Sequence, residues 1–369
     1  MRTKLQLTWP KKYTPPAHAS ASLHLPSPEQ LTQTNHFFLV DNLSLLHSLT
    51  QQIPETLDLI YIDPPFNTGR TFYRKRRKAS KKQEVYQDRW NGLEDFLSML
   101  YPRLHLMLRL LSPNGTLIVH TDHRFSHYVN TLLCELFDVE APRNQIIWSY
   151  GGRGAKATAN HFPRNHDTLL VFSKGKPFYQ KQYREVRHPY SSLPTHIRID
   201  EQGNAFKTSP PGDYSAQSLK RLEQEGRIYT TRNGNIRIKY FLEIRKKYVI
   251  EHKLLGDVWN DISDMMHQPP KERYGYPTQK PKALLRRILN AFCPPQGRIA
   301  DFFSGSGTTL VVAAESGRSF LGCDQQPYAL KCLEQRLQTL APPPQWRIHR
   351  HLEDPAQDSH PPPTHPINP

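Results

Sequence analysis

Strand and helix signals alternate along most of this chain, and no other feature limits its fold as tightly. His36–Val40 reads as a strand and Asn42–Leu49 as a short helix. Leu57–Ile62 is a short apolar run that stops at Asp63-Pro64-Pro65, the pattern of a strand buried on both faces. Leu93 to Leu111 is an apolar-periodic helix, stopped by Pro113-Asn114-Gly115. Thr116–Thr121 gives the next strand, Phe125–Phe137 a helix, and Gln145–Tyr150 with Thr168–Ser173 an antiparallel pair. The rhythm lapses, then returns with a helix at Lys282–Phe292, a strand at Arg298–Phe302 and a helix at Thr308–Ser316. A strand at Ser319–Cys323 and a helix at Tyr328–Leu337 complete it. Short links between alternating elements imply an α/β fold, its mostly parallel sheet covered on both faces.

This pattern divides the chain. Residues 1–30, rich in Pro, Ser, Thr and Lys, read as a flexible arm, and 31–150 as the first half of the α/β domain. Residues 151–260 are polar, basic and scattered with aromatics, and read as closing strands plus an insertion. The second half of the domain spans 261–340, and 341–369 reads as a Pro- and His-rich disordered tail.

Two segments carry chemistry. In Gly305-Ser306-Gly307, glycines let the backbone take positive φ and approach a ligand at the carboxyl edge of a sheet. No phosphate-loop Gly-Lys-[Ser/Thr] accompanies it, which argues against ATP. Asp324 ends the next strand, where a carboxylate can accept hydrogen bonds from both hydroxyls of a ribose. A nucleoside-bearing cofactor without a phosphate chain fits, and S-adenosyl-L-methionine (SAM) is the obvious candidate. In the other segment, Asp63 directly follows a buried strand. An exocyclic amine on a nucleobase is a poor nucleophile because its lone pair is delocalised into the ring. The Asp63 carboxylate and the Pro64 carbonyl can accept its two N–H bonds and free that pair. Pro65 stiffens the turn, and Phe66 offers a stacking face worth roughly 1–3 kcal/mol.

Read together, these segments resemble the permuted β group of SAM-dependent DNA amino-methyltransferases, in which the catalytic motif precedes the cofactor motif. Asp63-Pro64-Pro65-Phe66-Asn67-Thr68-Gly69 is similar to the family's catalytic signature, and Asp301-Phe302-Phe303-Ser304-Gly305-Ser306-Gly307-Thr308 to its cofactor loop. Pro113 to Val119, Asn165-His166-Asp167 through Ser173, Gly256 to Trp259 and Tyr276 to Pro281 resemble further family segments. The resemblance covers roughly residues 35–175 and 255–338. It implies a Rossmann-like methyltransferase fold, with a seven-stranded sheet, one antiparallel strand near its edge, and a target-recognition region inserted.

By the same resemblance, Thr278 and Lys280 hold the methionine carboxylate. Asp301, Phe302, Ser304, Gly305, Gly307 and Thr308 line the cofactor, Asp324 binds ribose, and Asp41 and Asn42 form a nearby turn. Three departures stand out: Val40 where Gly is usual, Asp324 for Glu, and Phe66 for Tyr. An acid-first Asp-Pro-Pro leans toward adenine N6 as target. Cytosine N4, RNA or an inert DNA-binding module are the alternatives.

Net charge is +16 and pI about 9.6, which suits a polyanion partner. Arg70, Arg74, Lys75, Arg76, Arg77 and Lys78 follow the catalytic segment and are candidate phosphate contacts. Arg232 and Arg237 in the insertion are candidate contacts to double-stranded DNA. A homodimer and a separate restriction endonuclease are compatible partners. Cys134, Cys293, Cys323 and Cys332 have no metal-ligand spacing and read as reduced thiols, and no metal is expected. Without an apolar leader or span, the expectation is a cytoplasmic, nucleoid-associated protein with no membrane contact.

Overall fold

The computed structural model describes residues 6–15, 23–74, 83–151, 160 and 162–350. They fall into two compact units: Lys181–Leu255, and the chain on either side of it. The larger unit is built on a sheet whose order is Val258–Trp259, Asn144–Ser149, His166–Ser173, Leu111–Thr121, Leu57–Ile62, Arg298–Asp301, Ser319–Cys323, Asn35–Leu39, Trp346–Arg350. Neighbours are parallel, except that His166–Ser173 runs antiparallel to the strands beside it. The sheet is therefore nine-stranded rather than seven-stranded. The two extra strands are short and lie at the edges, Val258–Trp259 and Trp346–Arg350.

The central strand shows why an apolar run folds this way. Ile60 and Ile62 of Leu57–Ile62 pack into one core layer, while Leu59 and Tyr61 pack into the other. The first layer is closed by Leu93–Leu110 through Phe96, Leu100, Leu104 and Met107, at helical spacing. The second is closed by Lys282–Phe292 and Thr308–Glu315, through residues such as Leu285, Ile288 and Val311. The centre of the sheet is a switch point. From Leu57–Ile62 the chain continues to one side, whereas from Arg298–Asp301 it continues to the other. Ile299 pairs with Leu59 and Ala300 with Ile60, so both strands end side by side at the same edge.

Several expected boundaries move. The strand expected at Thr116 begins at Leu111, which pairs with Leu57. Pro113 and Asn114 stay exposed in a shift of register, and regular pairing resumes at Thr116 opposite Leu59. The arm is not wholly loose, because Leu7 and Trp9 pack on the core and the Trp9 indole donates to Ser98 Oγ at 2.8 Å. Pro28–Gln33 is a helix with a capping box at Ser27 and Gln30. The tail also starts later than expected. Trp346 and Ile348 pack on the core, and Trp346–Arg350 pairs with Asn35–Leu39.

In the smaller unit, Tyr183–Pro189, Tyr248–Leu254, Ile236–Arg245, Ala205–Ser209 and Ile197–Ile199 form an antiparallel sheet, with Ile228–Thr230 beside Ile236–Arg245. Its core is small, centred on Ile197, Ala205 and Val249. Buried Glu251 ties it together. His188 and His196 Nε2 lie 3.2 and 3.3 Å from Oε2, and Lys207 donates to Oε1 at 3.1 Å. Burial alone would raise this carboxyl, but the bonds from His196, Lys207 and His188 outweigh it and hold it at about 2. A depressed carboxylate stabilises the fold above its unfolded value, and this stability is lost as pH falls toward 2. Glu251→Gln should cost about 2 kcal/mol at pH 7 and flatten the stability profile between pH 5 and 2, as measured by urea unfolding.

Candidate active site

Asp63 leaves the end of Leu57–Ile62 into a cavity of about 740 Å³. Its Oδ2 is paired with the Lys280 ammonium, which also sits 5.3 Å from the centre of the Phe66 ring. Its Oδ1 is buried and has no hydrogen-bond partner among the described residues. Such an acceptor is costly unless something else satisfies it. The segment Phe66-Asn67-Thr68-Gly69 is held rigidly. Asp88 accepts the Asn67 and Thr68 backbone N–H groups at 2.7 and 3.0 Å, and the Thr68 hydroxyl at 2.7 Å. Asn67 takes φ 49°, and its side chain accepts the Trp90 N–H. Arg124 donates to the carbonyls of Phe66 and Asn67.

His120 lies behind Asp63, fully buried. Its Nε2 is 3.1 Å from Asp167 Oδ2, its Nδ1 is 2.8 Å from Tyr61 OH, and Asp63 Oδ1 is 4.0 Å from Nδ1. Asp167 lies within one of the segments carrying the family resemblance. His120 and Tyr61 carried no sequence signal beyond their places in buried strands.

The cofactor turn follows the neighbouring strand. Gly305 has φ 50°, and a side chain there would press on the Tyr276 ring at 3.3 Å. Its N–H donates to Asp324 Oδ2 at 2.8 Å, while Gln326 N–H donates to Oδ1 at 2.9 Å. Asp301 accepts from Phe303 N–H at 3.1 Å and Thr309 Oγ1 at 2.6 Å. Asn42 donates to the Phe302 carbonyl and accepts from Arg103, which also pairs with Asp41 at 3.2 Å. Thr278 holds φ 62°, rare for a β-branched residue, and its hydroxyl lies 3.1 Å from Tyr86 OH. Tyr86 belongs to the strand Gln83–Asp88, which forms a hairpin with Arg70–Arg74 along this cavity.

One cavity thus takes in Asp63, Pro64, Pro65, Phe66, Asp41, Asn42, Thr278, Lys280, Asp301, Phe302, Ser304, Gly305, Thr308 and Asp324. Gly307, expected at the cofactor, is not in its lining. With φ 73° it starts Thr308–Glu315, and a Cβ there would lie 2.6 Å from Leu333, so it serves close packing. Ser304 and Thr308 turn their hydroxyls to the protein, toward the Cys323 and Lys280 carbonyls. Lys280 directs its ammonium at Asp63. Tyr86, Asp88, Arg103 and Arg124 are site residues the sequence did not single out, and Tyr276 was legible only as part of a segment resembling the family.

The DNA candidates fall in different segments. Arg70 is exposed at the start of the hairpin, and Arg74 ends its first strand. Lys75, Arg76, Arg77 and Lys78 lie outside the described residues. Arg232 is exposed in the smaller unit. Arg237 spends its guanidinium on Thr208, at 2.8 Å to Oγ1 and 3.2 Å to the carbonyl, which links adjacent strands instead of leaving the group free.

The family model described as DNA methylase, of the N6/N4 type, matches residues 57–335. The chain belongs to this DNA methylase family. It is similar to type II methyltransferase M.EcaI of Enterobacter cloacae, with 29% identity over 82% of this chain and 69% of the relative. It is also similar to DNA adenine methyltransferase YhdJ of Escherichia coli strain K12, with 25% identity over 74% of each. The chain spans about half the length of the type III Mod subunits it matches. Among solved structures, the PvuII DNA methyltransferase, described as cytosine-N4-specific, aligns with a TM-score of 0.48 at 15% identity, covering 83% of this chain and 87% of that one.

SAM is the methyl donor of this family, and the residues fit it. Burial pushes Asp301 up to about 7, with Asp63 and Asp324 adding to the rise, and pushes Asp324 up to about 6. A cavity with such carboxyls suits a ligand carrying an ammonium and a sulfonium, and an ionised Asp324 can accept from ribose hydroxyls. Binding that favours the ionised carboxyls is full near pH 8 and weakens as pH falls through 7 and 6. Calorimetric titration with SAM should show affinity at least about tenfold weaker at pH 5 than at pH 8. Equal affinity at both would contradict this reading.

Proposed function

We propose that this chain is a site-specific DNA methyltransferase acting on the exocyclic N6 amine of adenine within a short sequence of double-stranded DNA. The observation that carries it is the buried, unpartnered Asp63 Oδ1, in one cavity with the Asp324–Gly305 turn. SAM supplies an electrophilic methyl group on its sulfonium. Asp301, Asp324, Gly305 and Thr278 hold the cofactor. The target adenine enters the cavity out of the stack, at an unstacking cost of a few kcal/mol, and lies against Phe66. Asp63 Oδ1 accepts one N–H of the amine and the Pro64 carbonyl the other, so the nitrogen lone pair turns toward the methyl group. The N–C bond would form as the bond from the methyl carbon to sulfur breaks, leaving a neutral thioether, and the amine proton would pass to solvent afterwards, because it becomes acidic only on a positively charged nitrogen. Asp63 therefore acts mainly by position and charge. The Arg124 and Asp88 clamps keep Phe66 and Asn67 from relaxing away.

The acid-first motif at Asp63 supports adenine, as does the likeness to a relative named a DNA adenine methyltransferase. Relatives named for type II and type III restriction-modification support a role beside a restriction endonuclease. Arg70 and the basic run to Lys78 supply phosphate contacts, and the insertion that includes Lys181–Leu255 supplies target recognition.

Single-molecule sequencing of DNA from a methylation-free bacterial host expressing the chain tests this. Modified adenines in one short motif are expected, and Asp63→Ala should lower modification by a factor of about 1000 or more. Modified cytosines would overturn the adenine assignment, and equal modification by Asp63→Ala would remove Asp63 from the chemistry.

A further inference from the structure

We propose that His120 is a positioning residue for the amine site, held by Asp167 in the one tautomer that leaves Asp63 a free acceptor oxygen. That role presupposes amine methylation at Asp63. His120 is the penultimate residue of Leu111–Thr121, with no solvent exposure. Asp167 lies on the adjacent antiparallel strand, two residues before Leu169, the residue that pairs with His120. A carboxylate only accepts, so the 3.1 Å bond to Asp167 Oδ2 places the imidazole hydrogen on Nε2. Burial would raise the Asp167 carboxyl, but the hydrogen bond from His120, the charge of Lys280 and the Tyr150 hydroxyl bring it below its ordinary range. It is thus ionised at neutral pH.

Nδ1 then carries a lone pair, and the Tyr61 hydroxyl donates to it at 2.8 Å. Asp63 Oδ1 is 4.0 Å from the same nitrogen. With its one lone pair taken by Tyr61, Nδ1 has no hydrogen to offer Oδ1, which has no hydrogen-bond partner among the described residues. The titratable groups facing the ring are Tyr61, Asp63 and Asp167, with Tyr150 and Lys280 one step behind. Phe66 and Trp148 close the remaining sides with ring centres at 5.9 and 5.8 Å.

The opposite tautomer, or an imidazolium, would turn an N–H toward Oδ1. That hydrogen would compete with the target amine for the same oxygen. Removing the Asp167 charge should slow methyl transfer at neutral pH, as losing a tautomer-fixing carboxylate does in other enzymes.

The test compares the wild type, Asp167→Asn and His120→Asn in single-turnover methylation of a duplex carrying the target site. SAM is saturating throughout, and thermal unfolding checks each fold. Asp167→Asn should transfer at least tenfold more slowly at pH 7.5, with SAM affinity and the KM for DNA within twofold of the wild type. His120→Asn, which removes the ring that Asp167 fixes, should likewise transfer at least tenfold more slowly at pH 7.5 with SAM affinity within twofold of the wild type. Folded variants with wild-type transfer rates would overturn the role of His120, while an Asp63→Ala control that abolishes transfer keeps the amine site itself. A wild type that transfers methyl to neither adenine nor cytosine would overturn the underlying reading of the site.

Discussion

The pairing of Leu57–Ile62 with Arg298–Asp301 is the constraint on which the rest of the site depends. Asp63 and Gly305 are far apart in sequence. The register of Leu59 with Ile299 and Ile60 with Ala300 sets their strands to end together at one edge. The strands part company at this place, because each continues to a different side of the sheet. The crevice left there needs no further device to form. The motif order along the chain is immaterial once both strands sit at the centre.

The charge balance within that crevice explains its other features. Asp63, Asp301 and Asp324 share it, and burial makes the ionised forms of Asp301 and Asp324 costly. Lys280 compensates Asp63 through one oxygen and leaves the other open. The raised carboxyls at Asp301 and Asp324 leave the cofactor side short of positive charge. A cationic methyl donor supplies it. Backbone donors do the rest, since the N–H groups of Gly305, Phe303 and Gln326 all point at these carboxylates.

Much of this was legible in the residues. The buried run ending at Asp63 and the turn after Asp301 pointed to both halves of the candidate site, since each motif is an ordinary turn alone and the two gain meaning only together. Edges were less legible. Trp346–Arg350 alternates apolar and basic residues inside a Pro-rich region, where composition pointed to disorder but Trp346 and Ile348 bury against the core. The cooperation of His120 with Asp167 was out of reach, because it depends on an antiparallel register that composition does not encode. Residue type alone also does not give side-chain direction: the Lys280 ammonium pairs with the Asp63 carboxylate within the cavity, and the Arg237 guanidinium donates to Thr208.

The central claim is that Asp63 Oδ1 is the acceptor reserved for the target amine. The most direct measurement is a structure of the chain with a duplex carrying its recognition site and a SAM analogue that lacks a transferable methyl. The account predicts an extruded adenine against Phe66, with its N6 about 2.7–3.2 Å from Asp63 Oδ1. An adenine held elsewhere, or an Oδ1 bonded to His120 or Lys280 in that complex, would contradict it.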